Sequence, residues 1–301
     1  MGFTQWWRRI TGKGKGGTDD RAGKSGRIAK DGKDGSGSRS GPAGKGVKAG
    51  PGGPDHLKGI EQPKGKPGRM PQPDRSRPVL GVDSTRNGWL GALLESSGHG
   101  TPHLIAAASL QELLEKAGEV AVVAVTLPLG LPDQGRREAD VQTRRFLGDQ
   151  GSTVLTTPVR DAVYAISHSE ANAFNRAAGG SGVSSQAWEL RRRMQELDAW
   201  VRQDLPALVV ETHPEAAFAT LAGAPLTSRR RTGDGTAERR SALATGGVYI
   251  PTSAPHGIAT DDVLDACAAA WSAHRVKNGE ATTFPGEPQR HSDGIPAAVH
   301  V

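Results

Sequence analysis

Four acidic side chains stand where separate parts of the chain could bring them together. Asp83 follows the short apolar run VLGV, and Glu211 follows the apolar run ALVV. Asp262 and Asp265 open an alanine-rich stretch near the C-terminus. Hard divalent cations such as Mg²⁺ and Mn²⁺ prefer carboxylate and water oxygens as ligands. The residue types therefore predict a Mg²⁺ or Mn²⁺ site in which these four carboxylates are the metal ligands and catalytic groups.

The chemistry expected of such a site is phosphodiester hydrolysis. Two divalent ions about 4 Å apart can stabilise both the attacking and the leaving oxygen. In an open α/β sheet, strand ends and facing helix N-termini converge on one edge, which would gather the acids. Asp262 and Asp265 are three residues apart and would share a helix face. Acids in a first turn also favour the helix dipole, and Thr260 or Asp261 could simply cap the helix, so a structural role stays open.

The segment ETHPE adds two auxiliary candidates after Glu211. His213 could ligate a metal ion or move a proton, with Glu215 close by. In the structural alternative, Pro214 starts a helix and His213 forms a hydrogen bond within its own loop. Both interpretations are compatible with the sequence.

Clusters of arginine could contact the phosphates of a nucleic acid. Three consecutive ones, Arg229, Arg230 and Arg231, lie in a segment over 227–240 that we predict to be a polar loop. Four more lie on a predicted helix over 136–147, namely Arg136, Arg137, Arg144 and Arg145. The alternative for such runs is an ordinary solvated surface.

Apolar runs and turn residues predict the elements that would position these groups. The first three strands are predicted over 79–83, 89–94 and 102–106. Tight turns such as Asn87-Gly88 favour an antiparallel meander. A helix over 109–118 and a continuously apolar, buried strand over 120–125 follow.

The second half of the chain predicts further helices and one more strand. The predicted elements are a helix over 184–204, a strand within 207–215, a short helix after it, and a helix over 260–276. The whole order argues for an α/β fold with a mixed sheet, three antiparallel strands followed by parallel strands, flanked by helices.

Composition divides the chain into two regions. Residues 1–78 contain 18 Lys and Arg against 7 Asp and Glu, a net charge of +11, with few apolar residues. Such a Gly/Pro/Lys-rich segment is predicted to be disordered. A flexible cationic tail attracts polyanions or an anionic membrane surface, or serves as a solubilising linker. Residues 79–301, with a net charge of −5, are predicted to form one domain.

Signals for other compartments are weak in this sequence. Trp6 and Trp7 beside two arginines could touch a membrane interface. A run of about 18 uncharged apolar residues is missing, so neither a transmembrane segment nor a signal peptide is predicted. The single cysteine, Cys267, excludes an intramolecular disulfide and a multi-cysteine zinc site. We therefore expect a cytoplasmic protein.

Six blocks of sequence, spread over roughly 79–295, carry a family resemblance. They are GVDSTRNGW, VTLPLGLPDQGRREAD, STVLTTPVRDAVYA, GVSSQAWELRRRMQELD, VVETHPEAAF and TDDVLDACAAAWSAHR. In this order they resemble the family known as domain of unknown function 429, which is grouped with predicted nucleases of the ribonuclease H-like superfamily. The last block also resembles the closing helix of Holliday-junction resolvases, whose acids bind metal.

The resemblance implies a ribonuclease H-like fold and assigns the acids. Asp83 matches the aspartate of the first strand, and Asp262 and Asp265 match the acids of the closing helix. Glu211, with the histidine and glutamate that follow it, matches a Glu-x-His-Pro-Glu block. The implied function is a divalent-metal-dependent nuclease.

One position departs from the family pattern. Members commonly read Asp-Ile-Pro-Ile-Gly-Leu where this chain reads TLPLGL, beginning at Thr126. Losing one anionic ligand weakens a Mg²⁺ site, so activity is impaired unless Glu211 compensates. The alternative is a non-catalytic module on the same fold that binds nucleic acid or another partner.

Overall fold

The computed structural model describes residues 61–301. The expectations for residues 1–60, including the membrane contact of Trp6 and Trp7, lie outside this range. The described residues form a mixed α/β structure in which a seven-stranded sheet has an apolar core on each face. Over the same residues, no helix has the length and apolar character needed to cross a membrane.

The sheet combines antiparallel and parallel strands, as the sequence predicts. The strands are β1 Val79–Thr85, β2 Gly88–Leu94, β3 His103–Ala107, β4 Val122–Val125, β5 Leu208–Glu211, β6 Thr283–Arg290 and β7 Pro296–His300. Their order in the sheet is β3-β2-β1-β4-β5-β7-β6. β1, β2 and β3 pair antiparallel, and β4 and β5 continue parallel to β1.

The C-terminal hairpin of β6 and β7 is not predicted by the sequence pattern. β6 reads TFPGEPQR, and its prolines and glycine disfavour a strand. The hairpin depends on distant pairing, because β7 lies beside β5 with Glu211 opposite Val299. β6 takes the outer edge of the sheet, where proline is tolerated.

Eight α-helices accompany the sheet in the described part of the chain. They are α1 Leu110–Ala117, α2 Glu138–Leu147, α3 Arg160–Val163, α4 His168–Ala177, α5 Ser185–Trp200, α6 Pro214–Ala222, α7 Gly233–Thr245 and α8 Thr260–Asn278. The four long helices that the sequence predicts are confirmed with small shifts at their ends. At the start of α1, the Ser109 hydroxyl caps the helix by accepting a hydrogen bond from the Glu112 N–H.

The prediction of a polar loop over 227–240 is wrong for its second half, because α7 begins at Gly233. The hydroxyl of Thr232 caps this helix by accepting a hydrogen bond from the Gly235 N–H. This cap and the burial of Arg239 outweigh the low helix propensity of the two glycines in the first turn.

Residues 61–78 have no regular secondary structure, yet part of this segment contacts the domain. The Gly68 N–H donates a hydrogen bond to the Val201 carbonyl, and the Leu205 N–H donates one to the Arg69 carbonyl. Backbone contacts with the domain therefore begin N-terminal to β1.

Helix α8 packs against β1 without any side chain between the two backbones at Gly81. A Cβ atom on Gly81 would lie 2.0 Å from the Ala270 nitrogen and 2.2 Å from the Ala266 carbonyl oxygen. Alternate residues of a strand face the same side, so Asp83 faces this helix too. The close approach brings the first turns of α8 beside Asp83.

We expect Gly81→Ala to destabilise the protein by about 2–3 kcal/mol, because the new methyl group would meet helix backbone that cannot move alone. Gly286→Ala is the matched control, since Gly286 also lies in a strand and a Cβ there meets nothing within 4 Å. Urea unfolding measures both variants. Equal stability would contradict the close contact of α8 with β1.

Candidate active site

A pocket of about 320 Å³ lies where β1, β4 and β5 end and the first turns of α8 face them. The four predicted carboxylate ligands, Thr126, His213, Glu215 and the three consecutive arginines make ten candidate residues. Nine of these ten line the pocket: Asp83, Thr126, Glu211, His213, Glu215, Arg230, Arg231, Asp262 and Asp265. The tenth, Arg229, is exposed outside the pocket. The topology thus brings together acids that are up to 182 positions apart in the sequence.

Asp83 is 8% exposed and is held by the first residue after β4. The Thr126 hydroxyl donates a hydrogen bond of 2.5 Å to Oδ1 of Asp83. Burial raises the pKa of Asp83 to about 7, and the negative charge of Asp262 adds to the rise, although the Thr126 hydrogen bond opposes it. Near neutral pH the Asp83 carboxyl group therefore keeps its proton more readily than an ordinary aspartate does.

Asp265 is 2% exposed, and its two oxygens have different surroundings. Oδ2 forms an ion pair with Arg230, whereas Oδ1 has no hydrogen-bond partner among the described residues. Burial raises the pKa of Asp265 well above its ordinary value, and the negative charge of Asp83 raises it further. A buried oxygen without a partner is energetically costly, which makes Oδ1 a candidate ligand atom.

Asp262 combines a capping contact with a place in the pocket. It is half-buried, and it accepts a backbone hydrogen bond from Ala259, the residue before α8. Burial raises the pKa of Asp262. The sequence left open whether Thr260 or Asp261 caps this helix. In the structure, Asp262 itself contributes to the capping.

Glu211 reaches the pocket, but Arg137 holds both of its oxygens. The Arg137 guanidinium donates to Oε1 at 2.6 Å and to Oε2 at 2.9 Å, and the Leu129 N–H donates to Oε2 at 2.7 Å. Arg137 is fully buried and also donates two hydrogen bonds to Asp140. Glu211 is therefore part of a buried ion-pair network, in contrast to the free metal ligand expected from the sequence.

Glu215 is held in the same way, because Arg239 donates to its two oxygens at 2.7 and 2.8 Å. Sequence reasoning missed the partners Arg137, Asp140 and Arg239. Their available signal was spacing: Arg137 and Asp140 are three residues apart at the start of a helix, which favours an ion pair. The sequence alone does not distinguish Arg137 from Arg136. In the structure, Arg137 is buried and Arg136 is exposed.

His213 lies between β5 and α6 as a partly buried, neutral imidazole. The strand predicted within 207–215 is confirmed as β5, which ends at Glu211, and Pro214 starts the helix as the structural alternative proposed. Burial lowers the pKa of His213 to about 4, so the ring is uncharged at neutral pH. Its Nδ1 atom has no hydrogen-bond partner within 61–301.

The two pocket-lining arginines of the loop before α7 occupy different environments. The Arg231 side chain is 92% exposed, with Nε 4.0 Å from a carboxylate oxygen of Asp261. Arg230 instead points at the acids, with its ion pair to Asp265 and its Nε 3.8 Å from Asp261. Only Arg231 of this pair is available for a phosphate in the arrangement seen.

The acids that Arg137 and Arg239 leave available are Asp83, Asp262 and Asp265. Their hard oxygens suit Mg²⁺ or Mn²⁺, and the unpartnered Oδ1 of Asp265 belongs to a residue of the pocket lining. As these side chains lie, no group of three or more His, Cys, Asp or Glu in residues 61–301 could hold a metal ion. The donor chemistry fits a divalent cation, whereas the conformation seen has Arg230 as the cation at Asp265.

Arg137→Ala should lower the free energy of unfolding by about 3–5 kcal/mol, because it leaves the buried carboxylates of Glu211 and Asp140 without their partner. The neighbouring Arg136 is exposed, so Arg136→Ala should change stability by less than about 0.5 kcal/mol. Denaturant unfolding of the pair gives the comparison. Similar small losses in both would mean that Glu211 does not depend on Arg137.

Asp83→Asn should increase stability at pH 8 by roughly 1–4 kcal/mol, because the amide has no charge to bury. The pKa of Asp83 rises from its ordinary value of 3.8 to about 7 on folding, so the folded protein retains a proton that the unfolded chain releases. Ionisation of Asp83 thus lowers stability progressively from about pH 4 to about pH 7, and acidification restores it. The free energy of unfolding, measured with urea, should fall less between pH 5 and pH 8 for Asp83→Asn than for the wild type. An equal pH dependence would contradict the shift.

Comparison with known proteins identifies the family of this chain. The family model described as protein of unknown function (DUF429) matches residues 81–290. This range contains every acidic residue of the pocket. No curated protein and no solved structure matches the chain. The chain therefore belongs to the DUF429 family.

Proposed function

We propose that this protein is a divalent-metal-dependent phosphodiester hydrolase that acts on nucleic acid. The observation that carries the proposal is the convergence of Asp83, Asp262 and Asp265 on one pocket, where burial raises the pKa of all three. Carboxyl groups with raised pKa values in a pocket are typical of functional sites. The pocket thus concentrates hard anionic oxygens that a divalent cation would neutralise.

The proposal includes a ribonuclease H-like type for the fold. In its support, three antiparallel strands are followed by parallel strands β4 and β5. One acid, Asp83, lies on β1, and Asp262 and Asp265 lie on the helix that packs against it. This is the distribution of acids that the family resemblance implies.

In this proposal Asp83, Asp262 and Asp265 would hold Mg²⁺ or Mn²⁺. When bound, the ion would lower the pKa of a water molecule and neutralise charge at the phosphate. The Thr126 hydroxyl keeps Oδ1 of Asp83 oriented through its hydrogen bond. Neutral His213 lines the same pocket, and its Nδ1 atom is buried without a hydrogen-bond partner among residues 61–301.

Nucleic acid is the substrate class that the surrounding charge favours. Arg231 lines the pocket with a side chain that is 92% exposed, and Arg229 is exposed nearby in the sequence. The sequence of residues 1–78 adds a net charge of +11. Such cations attract phosphate backbones independently of base sequence.

A non-catalytic binding module is the second candidate function. Two features favour it: the family resemblance implies a carboxylate where this chain has the neutral Thr126, and Arg230 already neutralises Asp265. A module of this kind would bind nucleic acid through its arginines without cleaving it.

A cleavage assay with the full-length protein separates the two candidates. Single-stranded and branched DNA and RNA should be cut with Mn²⁺ or Mg²⁺ present and left intact with EDTA. Asp262→Asn should lower the rate by about 100-fold or more, since it removes an anionic ligand from the site. Asp261→Asn is the matched control, because Asp261 is the preceding residue of α8 but lies outside the pocket lining.

Asp83→Asn provides an independent test on the opposite element and should show the same loss. Cleavage that persists in both pocket variants would exclude this site. Binding of nucleic acid without any metal-dependent cleavage by the wild type would establish the non-catalytic module instead.

A further inference from the structure

The Arg230 side chain reaches the cluster formed by Asp83, Asp262 and Asp265 from a loop that carries none of these acids. It belongs to the loop between α6 and α7, whereas Asp83 lies on β1 and Asp265 on α8. Its side chain is 40% exposed, yet its guanidinium forms an ion pair with the buried Oδ2 of Asp265. The opposite charges of Asp265, Asp83 and Asp261 raise the pKa of Arg230, although burial opposes this rise. Arg230 is therefore the cation of this cluster in the arrangement seen.

The Arg230–Asp265 pair is incompletely satisfied on both sides. Within the part of the chain that the structure describes, Nε of Arg230 and Oδ1 of Asp265 are both buried without a hydrogen-bond partner. The two glutamates of the pocket are fully paired instead, since Arg137 donates to both oxygens of Glu211 and Arg239 donates to both oxygens of Glu215. An ion pair with unsatisfied buried atoms is energetically weak, so a better cation can replace it.

We infer that Arg230 is a built-in competitor for the divalent cation: it neutralises Asp265 in the metal-free protein and must leave when Mg²⁺ or Mn²⁺ binds. This inference rests on the proposed function, because it concerns the same acids. Arg230 can leave without disturbing the fold, since it lies on a loop and is partly exposed. Arg137 and Arg239 are almost fully buried and cannot exchange in this way.

The competition predicts by how much the removal of Arg230 should raise the metal affinity. When a site is available for only a fraction of the time, the apparent affinity of its ligand is reduced by that fraction. If Arg230 occupies Asp265 for more than about nine-tenths of the time, its removal raises metal affinity by about tenfold or more. A mere loss of surface charge would have a smaller effect, and it would be the same for Arg231.

Calorimetric titration of the full-length protein with Mn²⁺ tests the inference. Arg230→Ala should bind Mn²⁺ about tenfold more tightly than the wild type, and Arg230→Lys should lie between them. Arg231→Ala is the matched control, because this exposed neighbour has the same charge but contacts Asp261 only at 4.0 Å. Its Mn²⁺ affinity should stay within about twofold of the wild type.

Thermal unfolding gives a second measurement that does not depend on activity. In EDTA, Arg230→Ala should unfold at a lower temperature than the wild type, since Asp265 has lost its counter-charge. Saturating Mn²⁺ should raise the unfolding temperature of Arg230→Ala more than that of the wild type. Arg231→Ala should follow the wild type in both conditions.

The inference is overturned if Arg230→Ala binds Mn²⁺ no more tightly than the wild type, or if neither protein binds it. Failure of the competition alone is distinguishable from failure of the proposed function, whereas a lack of Mn²⁺ binding by both proteins would overturn both. Tighter Mn²⁺ binding by Arg230→Ala without cleavage by any protein supports the competition and removes the nuclease activity. Cleavage by the wild type, together with an unchanged Mn²⁺ affinity in Arg230→Ala, would support the nuclease activity and exclude the competition.

Discussion

The backbone contact between β1 and α8 is the constraint on which the site depends. Because Gly81 has no side chain, the helix lies directly against the strand, and its N-terminal acids come beside Asp83. Burial at this contact deprives the carboxylates of hydration and raises the pKa of Asp83 and Asp265. The geometry that gathers the acids is therefore the same geometry that makes their charges unfavourable.

The fold compensates its buried acids in two different ways. Glu211 and Glu215 each have a buried arginine that donates to both oxygens, which fixes their positions. Asp265 has only Arg230, from a loop, and one of its oxygens has no partner in the described chain. Fully satisfied polar networks rigidify a structure, whereas an incomplete one remains able to exchange partners. The pocket thus combines two firmly held glutamates with one aspartate whose partner can exchange.

The parts of this structure that depend on local sequence signals could be predicted, and those that depend on distant partners could not. The antiparallel meander follows from apolar runs with tight turns, and α1 follows from Ser109 and Gly118 at its ends. β6 carries prolines and forms a strand only because β7 is beside it. For the same reason the acids could be singled out by type and position, whereas the arginine partners of the glutamates could not. Burial distinguishes Arg137 from Arg136, and two residues of the same type give no local signal of which one is buried.

Residue 126 affects the charge balance of the pocket, because this chain has a neutral threonine where the family resemblance implies an aspartate. A carboxylate there would lie close to Oδ1 of Asp83, since the Thr126 hydroxyl is 2.5 Å from it. Two carboxylates at such a distance cannot both stay ionised without a cation between them. The neutral hydroxyl removes that requirement, and its hydrogen bond lowers the pKa of Asp83. With Thr126 the pocket consequently needs less positive charge than it would with a carboxylate at this position, and the guanidinium of Arg230 supplies part of that charge.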